Sequence, residues 1–425
     1  MLRWVNKLRR GSLFFLFLFS RYSYAVIAPV SVSGLGNAYS GEAVSVDDAS
    51  ILFLNPAGLP LQKNAQFAAG LLGGYHEYKF DGTATNNTSG GFSQTGTATT
   101  SSFGVLPAVF YSTPTFIKDL TFGFGLTSDF DYVSDYQDDS IVRYRGTKTD
   151  ITTFDFIPGF GYQLSPKLGV GFAVDVVYAS TEMDSMIPTG IPTVDPDSKV
   201  INAATGLAYG WHGGLLYQLS EKTRIGFAYH SSVHIKAHDI SKNIENPGTP
   251  VTKEVVSNNF NVSVVVPSYM VLSFSQGVNQ WNFMGSFTYN QWSKFDSIYL
   301  ENISVPLSPG GTVTTTNILN SRDTYGVVLG ADYQWNEKLM LRTGAAYVTD
   351  SSNDKYRSAN IVGATNYTVT TGGRYHWNET LQVDVSYSHT FFKEEPIHFH
   401  SVPDDQQGRL NMSADILGIQ IVCHV

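Results

Sequence analysis

The fold class this sequence predicts is all-β: a 14-stranded antiparallel transmembrane β-barrel with an N-terminal plug, or hatch, in its lumen. Three observations predict it. Charged residues make up only 15% of the 425 residues while aromatics reach 13%, against about 25% charged in a typical soluble domain. Segments of about ten residues alternate with period two, apolar on one face and small or polar on the other, as barrel walls do. A tight polar turn bracketed by aromatic residues recurs along the chain.

Other classes fall away on the same composition. Low charge with 24 Tyr and 27 Phe is the opposite of a disordered chain. The longest strong apolar run, Leu13 to Phe19, is far short of the roughly 20 residues of a transmembrane helix. The net charge of −9 makes nucleic acid an unsuitable partner. Cys423 is the only cysteine, which excludes an intramolecular disulfide and Cys-type zinc sites. It reads as a small lipid- or wall-facing residue.

Taken in chain order, residues 1–25 carry Arg3, Lys7, Arg9, Arg10 and Arg21 and no acid. The short apolar core and the small residues of Ser23-Tyr24-Ala25 follow, and the pattern is that of a signal peptide. Residues 26–64 do not alternate; small residues, paired acids and an Asn-Pro turn describe a compact non-strand element. The simplest place for it is the lumen, because an open barrel of this size has more interior than its own side chains fill.

Residues 65–425 form the barrel. Alternating segments start near 66, 100, 119, 150, 168, 203, 222, 256, 280, 319, 338, 365, 380 and 408. In the segment from Leu168, the residues Leu168, Val170, Phe172, Val174, Val176 and Tyr178 share one face, and Gly169, Gly171, Ala173 and Asp175 the other. The same holds from Trp281 and from Leu381. A soluble sandwich also alternates, but its exposed face carries Lys and Glu, which are scarce here. Closure is required in lipid, where an open edge leaves backbone groups unpaired. The turns Tyr162-Gln163-Leu164-Ser165-Pro166-Lys167-Leu168, Tyr217-Gln218-Leu219-Ser220-Glu221-Lys222-Thr223, Tyr333-Gln334-Trp335-Asn336-Glu337-Lys338-Leu339 and Tyr375-His376-Trp377-Asn378-Glu379-Thr380-Leu381 repeat one design. A looser copy spans Phe274 to Trp281. These short turns would face the periplasm. Gly82–Thr99, Tyr132–Thr149, Glu182–Lys199, Lys236–Val255, Asn302–Ile318, Ser351–Ala364 and Lys393–Gln407 would be long outer loops.

The run Ser33-Gly34-Leu35-Gly36-x-Ala38-Tyr39-Ser40-Gly41-Glu42, followed by Asp47-Asp48-Ala49 and Asn55-Pro56-Ala57, closely resembles the N-terminal hatch of FadL-type outer-membrane long-chain fatty acid transporters. Gly125-Leu126-Thr127-Ser128-Asp129-Phe130 is similar to that family's third strand, where a kink opens the wall sideways. The resemblance implies a hatch-plugged barrel in the outer membrane of a Gram-negative bacterium, passing hydrophobic substrates laterally into the membrane. It also implies a monomer, with outer-membrane lipid and lipopolysaccharide around it. The ending Ile421-Val422-Cys423-His424-Val425 departs from the aromatic terminus usual in such barrels, so assembly signalling is expected to differ.

The hatch and gating positions that follow are Gly34, Gly36, Gly41, Asp47, Asp48, Asn55, Pro56 and Ala57. Asp47 and Asp48 read as caps of a short helix, or as acids that destabilise the hatch when buried. Asn55-Pro56-Ala57 looks like a turn locking the hatch to the wall. Strand parity puts Arg224, Arg342 and Arg374 on the lumen side. Arg224 and Arg342, just past short turns, are the candidates for a substrate carboxylate; pairing with the lumen acids Asp175, Asp332 and Asp384 is the alternative. His398-Phe399-His400 with Glu394 and Glu395 lacks a third ligand at fixed spacing, and Asp129, Asp131, Asp135, Asp138 and Asp139 read as a solvated acidic loop. No catalytic residue, cofactor or metal is expected, since nothing resembles a nucleophile elbow or zinc-helix motif. The expected function is passive uptake of long-chain fatty acids or similar hydrophobic molecules with hatch-gated lateral release. Aromatic hydrocarbon uptake, or a surface adhesin or antigen barrel, is the alternative.

Overall fold

The computed structural model describes residues 30–424 apart from 88–91, 129, 189–196, 246–252, 306–310 and 402–403. The signal peptide expected over 1–25 and the acid Asp129 therefore lie outside the described residues.

The wall is one closed antiparallel sheet of 14 strands, six of them broken into two segments. The unbroken ones are β1 (Gln66–Asn86), β2 (Phe92–Pro114), β5 (Lys148–Ser165), β6 (Leu168–Ile187), β7 (Ser198–Ser220), β16 (Leu339–Val348), β17 (Asn366–His376) and β20 (Asp404–His424). The broken ones are β3 (Leu120–Thr127) with β4 (Asp131–Asp135), β8 (Thr223–His230) with β9 (Val233–Glu245), and β10 (Lys253–Val266) with β11 (Tyr269–Val278). They continue with β12 (Trp281–Asn290) and β13 (Ser297–Val305), β14 (Gly311–Ile318) and β15 (Thr324–Gln334), and β18 (Leu381–Phe392) and β19 (Glu395–His400). Neighbours in sequence pair, and β20 closes on β1 in a ladder from Gln66↔His424 to Asn86↔Asp404. Closure satisfies both edges, as a lipid setting demands.

The period-two expectation holds in space. Phe172, Val174 and Tyr178 face outward, as do Trp281, Phe283 and Phe287 and, on β18, Val385 and Tyr387. Gly169, Ala173 and Asp175 face in. The repeated turn also has a physical reason. Gln163 donates its side-chain amide to Ser165 O, Gln218 to Ser220 O and Gln334 to Asn336 O, at 2.7, 2.7 and 2.6 Å. Asn336 and Asn378 then accept backbone N–H groups two and three residues on.

The outer loops are shorter than expected. Most of Gly82–Thr99 is ladder, with Thr83 and Thr95, and Thr85 and Ser93, sharing cross-strand hydroxyl bonds of 2.8 Å. Above the apolar belt both faces are polar, so alternation no longer marks a strand although the hydrogen-bonded ladder continues. Glu182–Lys199, Lys236–Val255 and Asn302–Ile318 are likewise partly strand, whereas Ser351–Ala364 has no strand. The acidic stretch is not uniformly solvated: Asp131 is buried in β4, bonded by Thr152, and Asp138 pairs with Lys199.

Residues 30–62 form two short helices, α1 (Val32–Leu35) and α2 (Ile51–Leu54), and a 3-10 turn, Pro56–Leu61. They are almost wholly buried and touch strands on opposite sides of the wall, from β3, β5, β6 and β7 to β17, β18 and β20. The segment thus lies across the bore.

Candidate functional site

The N-terminal segment folds back on itself before it meets the wall. Ser31 caps α1 through its hydroxyl. Ala38 and Tyr39 both take left-handed backbone, at φ 59° and 62°, a conformation that costs L-residues about 1–2 kcal/mol each. The reversal returns the Tyr39 hydroxyl to Ser31 O at 2.8 Å. It lays the Tyr39 ring on Gly34, where an added Cβ would sit 2.6 Å from the ring. Strain held in place by its surroundings is typical of moving parts.

One flank of the segment is ionic. Asp384 accepts from Arg342 at 2.7 Å and from Arg374 at 2.8 Å. Arg342 reaches on to Asp47 at 3.1 Å, and Arg374 to Asp48 at 3.1 Å and to Asp47 O at 2.9 Å. Gln420 and Ser33 also donate to Asp48, while Asn37 bonds Asp332, which stands 3.7 Å from Arg342. Buried charges need such partners to offset lost hydration. Asp48 also accepts from Ser50 N two residues on, but the N-cap of α2 is Ser50, with no side-chain cap bond, so neither acid caps the helix as expected and both pair with the wall.

The opposite flank is held by amides and rings. Asn55 donates to Ala43 O at 2.7 Å and to Leu215 O of β7 at 3.1 Å, and accepts from Ala57 N. Pro56 lies on β6 at Gly171, where a Cβ would come within 2.2 Å of the Pro56 carbonyl carbon. His212 bridges Asp175 at 2.8 Å and Leu52 O at 2.9 Å, and stacks on His230, which stacks on Tyr269.

Of the candidates from sequence, Arg342 and Arg374 come together around Asp384, and Arg224 stands apart, bonded to Gln218 and 3.4 Å from Val44 O. Gly36 lies beside Arg342 and Gly41 beside Met284. His398 and His400 lie on β19. Sequence reasoning did not find His212, His230 or Gln420; only their lumen parity signalled them.

The wall is interrupted where the third strand kinks. The β2–β3 ladder ends at Val109↔Leu126, yet β2 runs on to Phe92 laddered to β1. Beyond Thr127 the chain turns inward. Phe130, Tyr132 and Val133 become buried, and β4 is laddered to β5. Tyr132 and Tyr136 donate to the carbonyls of Asn360 and Ala359 across the lumen. Among the described residues, β4 has no ladder to β2. The floor under this interruption is apolar: Leu106, Ala108, Phe110 and Ile157 pack with Leu52 and Leu59 of the N-terminal segment.

Among the described residues, three neighbouring cavities of the lumen share lining residues. The outermost, about 560 Å³, lies among the strand ends and includes Arg145, Asp184 and Asn360 in its wall. A slot of about 30 Å³ is lined by Phe130, Tyr132, Trp292, Phe295, Leu319 and Arg357, among others. An inner cavity of about 120 Å³ rests on Leu35, Ala38, Tyr39 and Glu42 of the N-terminal segment. Ile361 is shared by the first two and Trp292 by the last two. In the outer loop over the slot, burial raises the Asp350 carboxyl above its usual range, opposed by Arg357, which binds it. Arg224 and Arg342 line none of the three.

Comparison with known proteins agrees with this architecture. The chain is 27% identical to outer membrane protein P1 of Haemophilus influenzae, over 92% of this chain and 90% of that protein. It is 26% identical to a long-chain fatty acid transport protein of Escherichia coli O6:H1, over 75% of each. The fold is that of a FadL homologue from Pseudomonas aeruginosa, with a TM-score of 0.80, 18% identity, and coverage of 94% of this chain and 99% of that one. The family described as outer membrane protein transport protein (OMPP1/FadL/TodX) matches residues 23–423. This outer-membrane barrel belongs to that family.

Proposed function

We propose that the protein is a passive channel taking long-chain fatty acids or similar hydrophobic molecules across the outer membrane and releasing them sideways into the bilayer. One observation carries this reading: the slot is walled by Phe130 and Tyr132, the residues that the kink turns inward at the interrupted wall. A ligand in that slot stands beside a ladder break that opens over an apolar floor.

Below it, residues 26–64 act as the hatch, with Gly34, Gly36, Gly41, Asp47, Asp48, Asn55, Pro56 and Ala57 as its gating positions. The hatch moves only if ligand binds its two states unequally. Leu35, Ala38, Tyr39 and Glu42 touch the inner cavity, so a ligand there meets the hatch directly. For a carboxylated ligand, Arg342 becomes a partner only as Asp47 leaves it, while Arg224 at the hatch edge is the less enclosed candidate. Residues 1–25 are the signal peptide, the short turns face the periplasm, and the barrel works as a monomer among outer-membrane lipid and lipopolysaccharide.

The test is lipid mass spectrometry on protein purified from outer membranes, beside equilibrium binding of a labelled long-chain fatty acid. Co-purified fatty acid and saturable binding support the reading. Absence of both would shift the assignment to aromatic hydrocarbon uptake or to a surface role.

A further inference from the structure

We propose that the indole of Trp292 is the partition that sets which ligands the inner cavity can hold. The proposal rests on the transport reading above. Trp292 is the single residue common to the linings of the slot and the inner cavity. The two spaces therefore meet at this one residue.

The backbone under that side chain is fixed. Trp292 opens a three-residue 3-10 turn, Trp292–Lys294, inserted between β12 and β13. Asp323 pins it, accepting from Ser293 N at 2.9 Å and from the Tyr289 hydroxyl at 2.6 Å. Gln291 N donates to Ser268 O at 2.9 Å on the other side. The ring itself packs against the buried apolar cluster that contains Phe130 and Phe295. It meets Phe295 edge-on at 5.7 Å and Phe130 at 6.5 Å, and among the described residues no hydrogen bond holds its indole N–H. Phe295 is buried, whereas Trp292 is only half-buried. A fixed hinge carrying a ring held by apolar contacts alone is a partition whose place an apolar ligand can take.

Volumes turn this into selectivity. An apolar cavity of about 150 Å³ holds benzene, so the inner cavity, at about 120 Å³, is matched to a single small ring with Trp292 in place. A long alkyl chain exceeds what the inner cavity and the slot, at about 120 and 30 Å³, offer together, so its bound state requires the indole to stay displaced and its space to be added. The cost of displacement therefore falls on long ligands and not on compact ones.

The experiment compares full-length wild type, Trp292→Phe and Trp292→Ala, purified from outer membranes and shown to be folded by heat-modifiable gel migration. Equilibrium binding of radiolabelled palmitate and radiolabelled toluene is measured for each. Trp292→Ala is expected to raise palmitate affinity relative to toluene by about tenfold, the scale at which a size step in an apolar pocket discriminates, with Trp292→Phe between. In wild type, palmitate is expected to shift the tryptophan emission that Trp292→Phe lacks, and toluene to leave it unchanged. This readout stands even if Trp292→Ala fails to fold. Binding of both ligands with an unchanged ratio and no emission difference overturns the partition and leaves the transport reading intact. Binding of neither ligand by wild type overturns both.

Discussion

Arg342 and Asp47 meet at 3.1 Å across the boundary between the wall and the N-terminal segment, while Asp384 holds the same guanidinium from the wall side at 2.7 Å. The two carboxylates differ in surroundings: the Asp384 side chain is fully buried and that of Asp47 is 27% exposed. The wall-side pair is therefore the fixed half of the contact and Asp47 the releasable half.

That asymmetry predicts different outcomes for the two ends. Asp47→Asn is expected to loosen the hatch with little loss of barrel stability, because a partly exposed pair is worth only about 1 kcal/mol or less. Hydrogen exchange of amides 33–48 should speed up while the wall ladder stays protected. Arg342→Ala strands Asp384 with one partner fewer and is expected to cost about 3–5 kcal/mol, read as a lower unfolding midpoint. Equal exchange in Asp47→Asn and wild type would rule out the releasable latch.

Asn55 is a second tether, joining Ala43 O to Leu215 O. Asn55→Ala and Pro56→Ala are expected to reduce uptake of a labelled long-chain fatty acid while heat-modifiable migration stays normal. The lost amide bonds should cost about 1–3 kcal/mol of hatch docking. Uptake at the wild-type rate in both variants would remove this turn from the gate.

Gly171→Ala approaches the same contact from the wall. The added carbon falls 2.2 Å from the Pro56 carbonyl carbon, too close for either to stay, so the hatch must shift. The expected outcome is a folded barrel with raised ion conductance in planar bilayers. Conductance equal to wild type would mean that the turn gives way without opening the bore.

The repeated turns are predicted to be structural alone. Gln163→Ala removes one amide-to-carbonyl bond and Gln334→Ala two, and neither side chain touches the candidate arginines, whereas Gln218 also accepts from Arg224. Gln163→Ala and Gln334→Ala are each expected to cost about 0.5–1.5 kcal/mol of barrel stability with fatty acid uptake unchanged. A fall in uptake at wild-type stability would give the turns a functional part.

The barrel was legible because its signals are local. Period two in the segments from Leu168, Trp281 and Leu381 is set by neighbours two residues apart. The Tyr-Gln turns close within a few residues of the glutamine that braces them. Polar strands above the lipid, such as Thr83 to Asn86 against Phe92 to Thr95, were read as loops, because with no apolar face to bury their sequence resembles a loop.

By itself, then, the sequence determined the strand parity, the turn positions and the count of wall strands. Only the tertiary structure decided which lumen arginine meets which acid, where the wall breaks, and how Ile361 and Trp292 come to join the slot to the cavities on either side. The physical reason is reach. Arg342 and Asp47 stand 295 positions apart in the chain, and a charge buried in a barrel is paired by whatever closure and the hatch bring within hydrogen-bond distance, which no periodicity along the chain encodes.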